Sequence, residues 1–143
     1  VHQITELQDR RVRDGGATWH FFLLGALVGL WFMTLAGVTP AADEWTTTNK
    51  SLFVTSTALL VADWGQTRYV SKHPEHYQET NPLLGDYPST SRVNNYFAGV
   101  LIGNFLLTHF LSAEYRNYFQ IFLIGAEARA VTSNHAIGVK VAF

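Results

Sequence analysis

Four apolar stretches alternate with polar connections along this chain. The first, 19–38, lies inside a run from Gly15 to Ala42 that has no aspartate, glutamate, lysine or arginine and only His20 as a titratable group. About 20 apolar residues in a helix cross the roughly 30 Å of hydrocarbon in a bilayer, so 19–38 predicts a transmembrane helix. The second stretch, 52–70, is interrupted by Asp63 and Arg68, the third, 93–113, carries no formal charge, and the fourth, 115–131, is shortened by Glu127 and Arg129. Each predicts a helix, and the three together with the first predict three to four membrane spans.

Helical periodicity sorts the polar residues within these stretches. At roughly 100° per residue, Ser56, Asp63 and Thr67 share one stripe, and Arg116, Gln120, Glu127 and Asn134 share another roughly 40° wide if the last helix runs that far. Lipid offers a carboxylate no partner, so both stripes are expected to face protein or water. Asn94, Asn104, Thr108 and His109 predict hydrogen bonds from the third helix to its neighbours, and the pair Gly99 and Gly103 predicts close approach of another helix.

The connections are equally specific. Thr46 to Asn49 offers several helix caps, as does Ser89 to Ser91. His73-Pro74 ends or kinks the second helix. Pro74 then suits the first turn of a short helix to about Glu79, and Asn81-Pro82 and 84–88 read as turns. The whole of 73–88 is expected to form an interfacial hairpin. The last eight residues alternate with a period of two, as a strand would.

The expected architecture is all-α: an integral membrane helical bundle with three to four transmembrane segments and a short interfacial hairpin. Residues 1–16 form a polar cytoplasmic segment and 17–143 a single membrane domain. Arg10, Arg11 and Arg13 before the first span, with Asp43 and Glu44 after it, put the amino terminus in the cytoplasm. The alternative is a secretory signal cleaved near Ala41 or Ala42, which would export the remainder. The apolar run exceeds the 7–15 residues of a signal core, which favours a retained anchor.

Composition supports lipid contact: only 15% of residues are charged, against roughly 25% in soluble domains. A net charge of −1 without a basic patch argues against a nucleic-acid partner. The absence of cysteine excludes disulfides, thiolate nucleophiles and cysteine metal sites. The expected partners are the lipid bilayer and either other membrane subunits or further copies of the chain.

The candidate chemistry falls into three sets. Asp63, His109 and Glu127 are candidate acid–base residues, because ionisable groups within a membrane are functional by default. His73, His76 and Glu79, three residues apart in turn, have ligand types that suit a divalent metal cofactor, although Pro74 breaks the helix that would align them. Thr67, Arg68, Asn94, Gly99, Gly103, Asn104, Arg116, Gln120 and Asn134 are candidates for a packing and polar network between helices. No phosphate loop, dinucleotide fingerprint, calcium loop or nucleophile elbow is present.

The pattern from Asp63-Trp-Gly-Gln-Thr-Arg-Tyr69, through His73-Pro74 and Glu79-Thr-Asn-Pro-Leu-Leu-Gly85, to Asn134-His135 and Ile137-Gly-Val-Lys140 resembles a group of small bacterial membrane or exported hypothetical proteins. The resemblance covers about residues 50 to 143, implies a common structural plan, favours the cleaved-leader alternative somewhat because the leader lies outside it, and brings no activity with it; the location expected from the spans and their flanking charges is the bacterial inner membrane. The leading expectation is a structural or accessory component of a membrane assembly. The alternatives are a membrane-embedded hydrolase or transferase, metal-dependent or acid–base, acting on a lipid-borne substrate, and proton-linked transport.

Overall fold

A computed structural model describes residues 44–143, which form three helices: α1 (Thr47–Lys72), α2 (Thr90–Phe110) and α3 (Ala113–Ala136). The expected span 19–38, the polar segment 1–16 and the cleavage position near Ala41 and Ala42 lie outside these residues. Within them the all-helical expectation holds, and there is no strand.

Two of the three helices, α1 and α2, begin where the sequence supplies a side-chain cap, whereas Ser112 before α3 makes no cap hydrogen bond. Thr46 Oγ1 accepts the Asn49 backbone N–H at 3.1 Å and Asn49 Oδ1 accepts that of Thr46 at 3.1 Å, a reciprocal box that satisfies two otherwise unpaired donors. Ser89 Oγ accepts the Arg92 N–H at 3.2 Å and starts α2. His73, before Pro74, terminates α1. Leu111 and Ser112 alone link α2 to α3, so these helices run antiparallel. α1 is the central element and packs along both others, while α2 and α3 touch each other far less.

The connection between α1 and α2 differs from expectation. No helix forms from Pro74 to Glu79. Instead one turn closes on His73, whose carbonyl accepts the N–H groups of His76 and Tyr77, and a second closes on Asn81, whose carbonyl accepts those of Leu84 and Gly85. The Glu79 N–H donates to the Asp86 carbonyl at 2.9 Å and ties the two arms together. Leu84 then reaches inward against Val93 and Phe97, with Trp64 and Tyr96 alongside, forming a small apolar cluster at this end.

The carboxyl-terminal alternation does not make a strand either. It produces an extended tail on α1, with the Ala142 N–H donating to the Gly65 carbonyl at 3.1 Å and Val139 buried. Gly65 is required there: a Cβ would lie 2.5 Å from Val141 Cγ1 and 3.1 Å from the Phe143 ring.

No helix among the described residues is long and apolar enough to cross a membrane. The spans expected at 52–70, 93–113 and 115–131 each coincide with a helix, and at 26, 21 and 24 residues the helices are not short. The shortfall is in apolar content, and it has a specific location. Asn49, Ser56, Gln66, Thr67, Asn104, Thr108, Arg116, Gln120 and Glu127 are all buried between the helices. Large apolar side chains lie outside, among them Ile102, Phe105, Leu106 and Phe110 on α2 and Tyr118, Ile121 and Phe122 on α3.

Candidate functional site

The buried polar residues form two groups, one at each end of the bundle. The first surrounds Arg116, which is fully buried in the first turn of α3. Its Nε donates to the Thr108 carbonyl at 2.7 Å and one Nη to the Leu111 carbonyl at 3.0 Å. These are carbonyls at the end of α2, which lack helical partners and carry the negative end of its dipole. The other Nη donates at 3.0 Å to Asn49 Oδ1, the atom that also completes the cap of α1. The Trp45 ring lies over the guanidinium at 5.2 Å. One side chain therefore joins the start of α1, the end of α2 and the start of α3.

The network continues inward from there. Asn49 Nδ2 donates to Asn117 Oδ1 at 2.6 Å. Gln120 Nε2 donates to Asn104 Oδ1 at 2.8 Å and also reaches Thr108 Oγ1, while Asn104 Nδ2 lies 3.4 Å from both Ser56 Oγ and Thr57 Oγ1. All three helices contribute to it, and it holds them in register. It contains Asn104, Arg116 and Gln120 of the expected packing set, and adds Asn49, Ser56 and Asn117.

At the opposite end, α1, the interhelical connection and α3 each contribute one carboxylate, and α2 contributes a tyrosine. Asp63 on α1 accepts a hydrogen bond from Asn134 Nδ2 of α3 at 3.2 Å. Glu79 of the interhelical connection and Glu127 of α3 both lie within electrostatic range of Asp63. Tyr96 of α2 lies within range of all three carboxylates, and its hydroxyl is in hydrogen-bond reach of Asn81. Glu127 is buried, with 4% of its surface exposed, and its Oε2 has no hydrogen-bond partner among the described residues. Neither Asp63 nor Glu127 forms an ion pair among the described residues.

Arg68, expected in the polar network between helices, bonds to α2. Its Nη donates to Asn94 Oδ1 at 2.7 Å, which also accepts Trp64 Nε1 at 3.0 Å, and its guanidinium sits 6.0 Å from the Phe143 ring centre. Thr67 is buried on the inner stripe and Arg129 is exposed.

The histidines do not join this site. His109 is 13 positions from Tyr96 along α2, about 20 Å at 1.5 Å per residue, and its ring packs against Phe105 and Phe110. The His73, His76 and Glu79 ligand set is not assembled. His73 stacks on Tyr69 at 4.1 Å with its Nδ1 on the Tyr69 carbonyl. His76 is solvent-exposed beside Glu75, and Glu79 Oε1 accepts the N–H groups of Thr80 and Asn81. Among the described residues no group of three such side chains is placed to hold a metal ion. Pro74 is the cause, because a turn at 73–77 cannot give the one-face repeat that a helix would.

Gly99 and Gly103 also depart from expectation: a Cβ at either would meet nothing within 4 Å. They face outward, away from α1 and α3. No family model, curated protein or solved structure matches the chain.

Proposed function

We propose that this protein is a small membrane-embedded helical component that serves a structural or accessory role in a membrane assembly, its polar side chains locking the helices and its apolar faces turned to lipid and neighbouring subunits. The observation that carries this reading is the inversion of the usual arrangement. A buried arginine, glutamate and several amides between helices, under an exterior of Ile102, Phe105, Leu106, Phe110, Ile121 and Phe122, is opposite to what water selects.

Mean hydropathy along a helix counts inward and outward residues alike. The polar residues that lower it here are those facing other helices, where they cost lipid nothing. Arg92 on α2, and Glu114 and Arg129 on α3, are exposed and bound the apolar band. Glu114 and Arg129 are 15 positions apart, about 22 Å of helix, a distance to which the bilayer adapts by thinning and by extension of the charged side chains to the interface. The outward-facing Gly99 and Gly103 would admit the backbone of a partner helix.

The chain has no cysteine, so single cysteines can report on this directly. Ile102→Cys and Phe122→Cys in the full chain should resist a charged, membrane-impermeant maleimide in open membrane sheets, while Ser91→Cys reacts. Labelling of all three at similar rates would refute the lipid-facing assignment. A second reading, acid–base chemistry on a lipid-borne substrate, is favoured by the meeting of Asp63 and Glu127 alone, and turnover unaffected by Asp63→Asn would remove it.

A further inference from the structure

Given the membrane reading above, on which this depends, we propose that the chain's own apolar segment 19–38, which lies outside the described residues, docks as a helix on the outward face of α2 and parallel to it, with Gly25 and Gly29 against Gly99 and Gly103. The face is uncovered within residues 44–143. Ile102, Phe105, Leu106 and Phe110 are 60%, 50%, 44% and 53% exposed, Ala98 and Gly99 are exposed beside them, and a Cβ at Gly99 or Gly103 would meet nothing within 4 Å. α2 packs on α1 and touches α3 far less, so this side of it has no protein neighbour among the described residues.

Where the chain enters identifies the occupant. Residue 38 is separated from Thr47, the first residue of α1, by the eight residues 39–46. That length of chain reaches about 27 Å when extended, and packed helix axes lie about 8–10 Å apart, so the segment cannot stray far from the start of α1. The start of α1 and the end of α2 are held together through Arg116. Trp45, at the end of the connection, has its ring 5.2 Å from that of Phe53, which in turn lies 6.3 Å from the ring of Phe105 on α2. The connection therefore arrives beside α2.

Direction and register agree with that placement. The segment runs toward this end of the bundle, as α2 does, whereas α3 runs away from it. Counted from the common end, Gly29 is nine positions before Val38 and Gly103 seven before Phe110, about 14 and 11 Å at 1.5 Å per residue, and Gly25 and Gly99 each lie four positions deeper. The two pairs thus meet at the same depth to within a turn. Paired Gly-x-x-x-Gly faces let parallel helices approach backbone to backbone, where dispersion and close packing hold them. Lipid would cover the apolar side chains equally well, but it gives no reason for two glycines in mid-helix, where alanine is the better helix former. α3 also exposes apolar side chains, yet it has a single glycine, Gly125. Neither the segment between Gly15 and Ala42 nor the stretch from Val93 to Ala113 carries an aspartate, glutamate, lysine or arginine, so no charge is buried by the contact.

The test places cysteine pairs in the full chain, which has none of its own, and treats native membranes with a short bis-maleimide, the mass of the purified protein showing whether 19–38 is retained. Phe21 and Asn95 each lie four positions before the first glycine of their pair. Phe21→Cys with Asn95→Cys is expected to cross-link within one chain, giving a product that runs as a monomer. Phe21→Cys with Phe110→Cys, about 22 Å further along α2, should give none. Gly29→Leu, outside the described helices, should lower the first yield about fivefold or more, and Gly103→Leu should do the same. Cross-linked dimers would assign the face to a second copy, a product between positions 21 and 110 would make the segment antiparallel, no product at either pair would leave the face to lipid, and a mature chain lacking 19–38 would remove the occupant; each overturns the proposal, as would an undiminished yield with Gly29→Leu. Phe122→Cys, on α3, reports the membrane reading separately. Its protection without an intramolecular cross-link removes only the docking of 19–38, whereas its free labelling removes the membrane reading itself.

Discussion

Replacing Arg116 by methionine tests whether one buried side chain holds the three helices together. Methionine preserves much of the volume and removes every donor. Three hydrogen bonds described above would be lost, those to the Thr108 and Leu111 carbonyls and to Asn49 Oδ1, together with the Trp45 ring contact. Neutral hydrogen bonds between membrane helices average only about 0.6 kcal/mol, but those donated by a charged group contribute about 1.5–3 kcal/mol each. The three are not additive, because they share one guanidinium. The abandoned acceptors are the carbonyls at the end of α2, now buried without donors, so a loss of roughly 3–5 kcal/mol is expected.

For a domain of about 100 residues each kcal/mol shifts the midpoint by roughly 4–8 °C, so Arg116→Met should lower it by at least about 12 °C. Arg116→Lys keeps the charge but cannot form the planar fork that reaches acceptors on two other helices, and should fall between the two. Thermal unfolding of the full chain in detergent, with helix content followed by circular dichroism, measures both. Midpoints within about 3 °C of the parent for both variants would show that the network is incidental and that apolar packing alone sets the arrangement.

The remaining predictions concern other parts of the fold. Gly65→Val places a branched side chain where Val141 and Phe143 pack; it should release the tail at a cost of about 1–3 kcal/mol, seen as faster proteolysis after Lys140. Gly99→Ala and Gly103→Ala meet no atoms among the described residues, so helix propensity alone gives each a gain of about 0.5–1 kcal/mol. A lower thermal midpoint in the same variants of the full chain would place a partner helix on that face. Asn104→Ala removes the amide that links Gln120 to Ser56 and Thr57 and should cost about 1–3 kcal/mol, whereas His76→Ala, in an exposed turn, should stay within about 0.5 kcal/mol in a chemical unfolding titration.

Sequence alone determined what depends on neighbours within a helical turn or two. Apolar runs located the three described helices, and the 3.6-residue period put Ser56 and Thr67 on one inner stripe and Arg116, Gln120 and Glu127 on another, all of which are buried. The caps at Thr46 and Ser89 were equally legible, because their partners are three residues away. Tertiary structure decided what those stripes meet. Arg116 reaches Asn49 across 67 positions and Asn134 reaches Asp63 across 71, and no periodicity specifies such a pairing.

The same limit explains the departures. His73, His76 and Glu79 have ligand spacing only on a continuous helix, and the Pro74 turn sends the two histidines to Tyr69 and to solvent. The Gly99 and Gly103 spacing places two small residues on one face, but the direction of that face was settled by Val93, Phe97, Asn104 and Thr108 turning inward instead. A helix has one rotation about its axis, and the largest set of favourable contacts chooses it. Here those contacts are polar on the inside, which is why the carboxylates of three separate elements, Asp63, Glu79 and Glu127, are brought into electrostatic range across the fold.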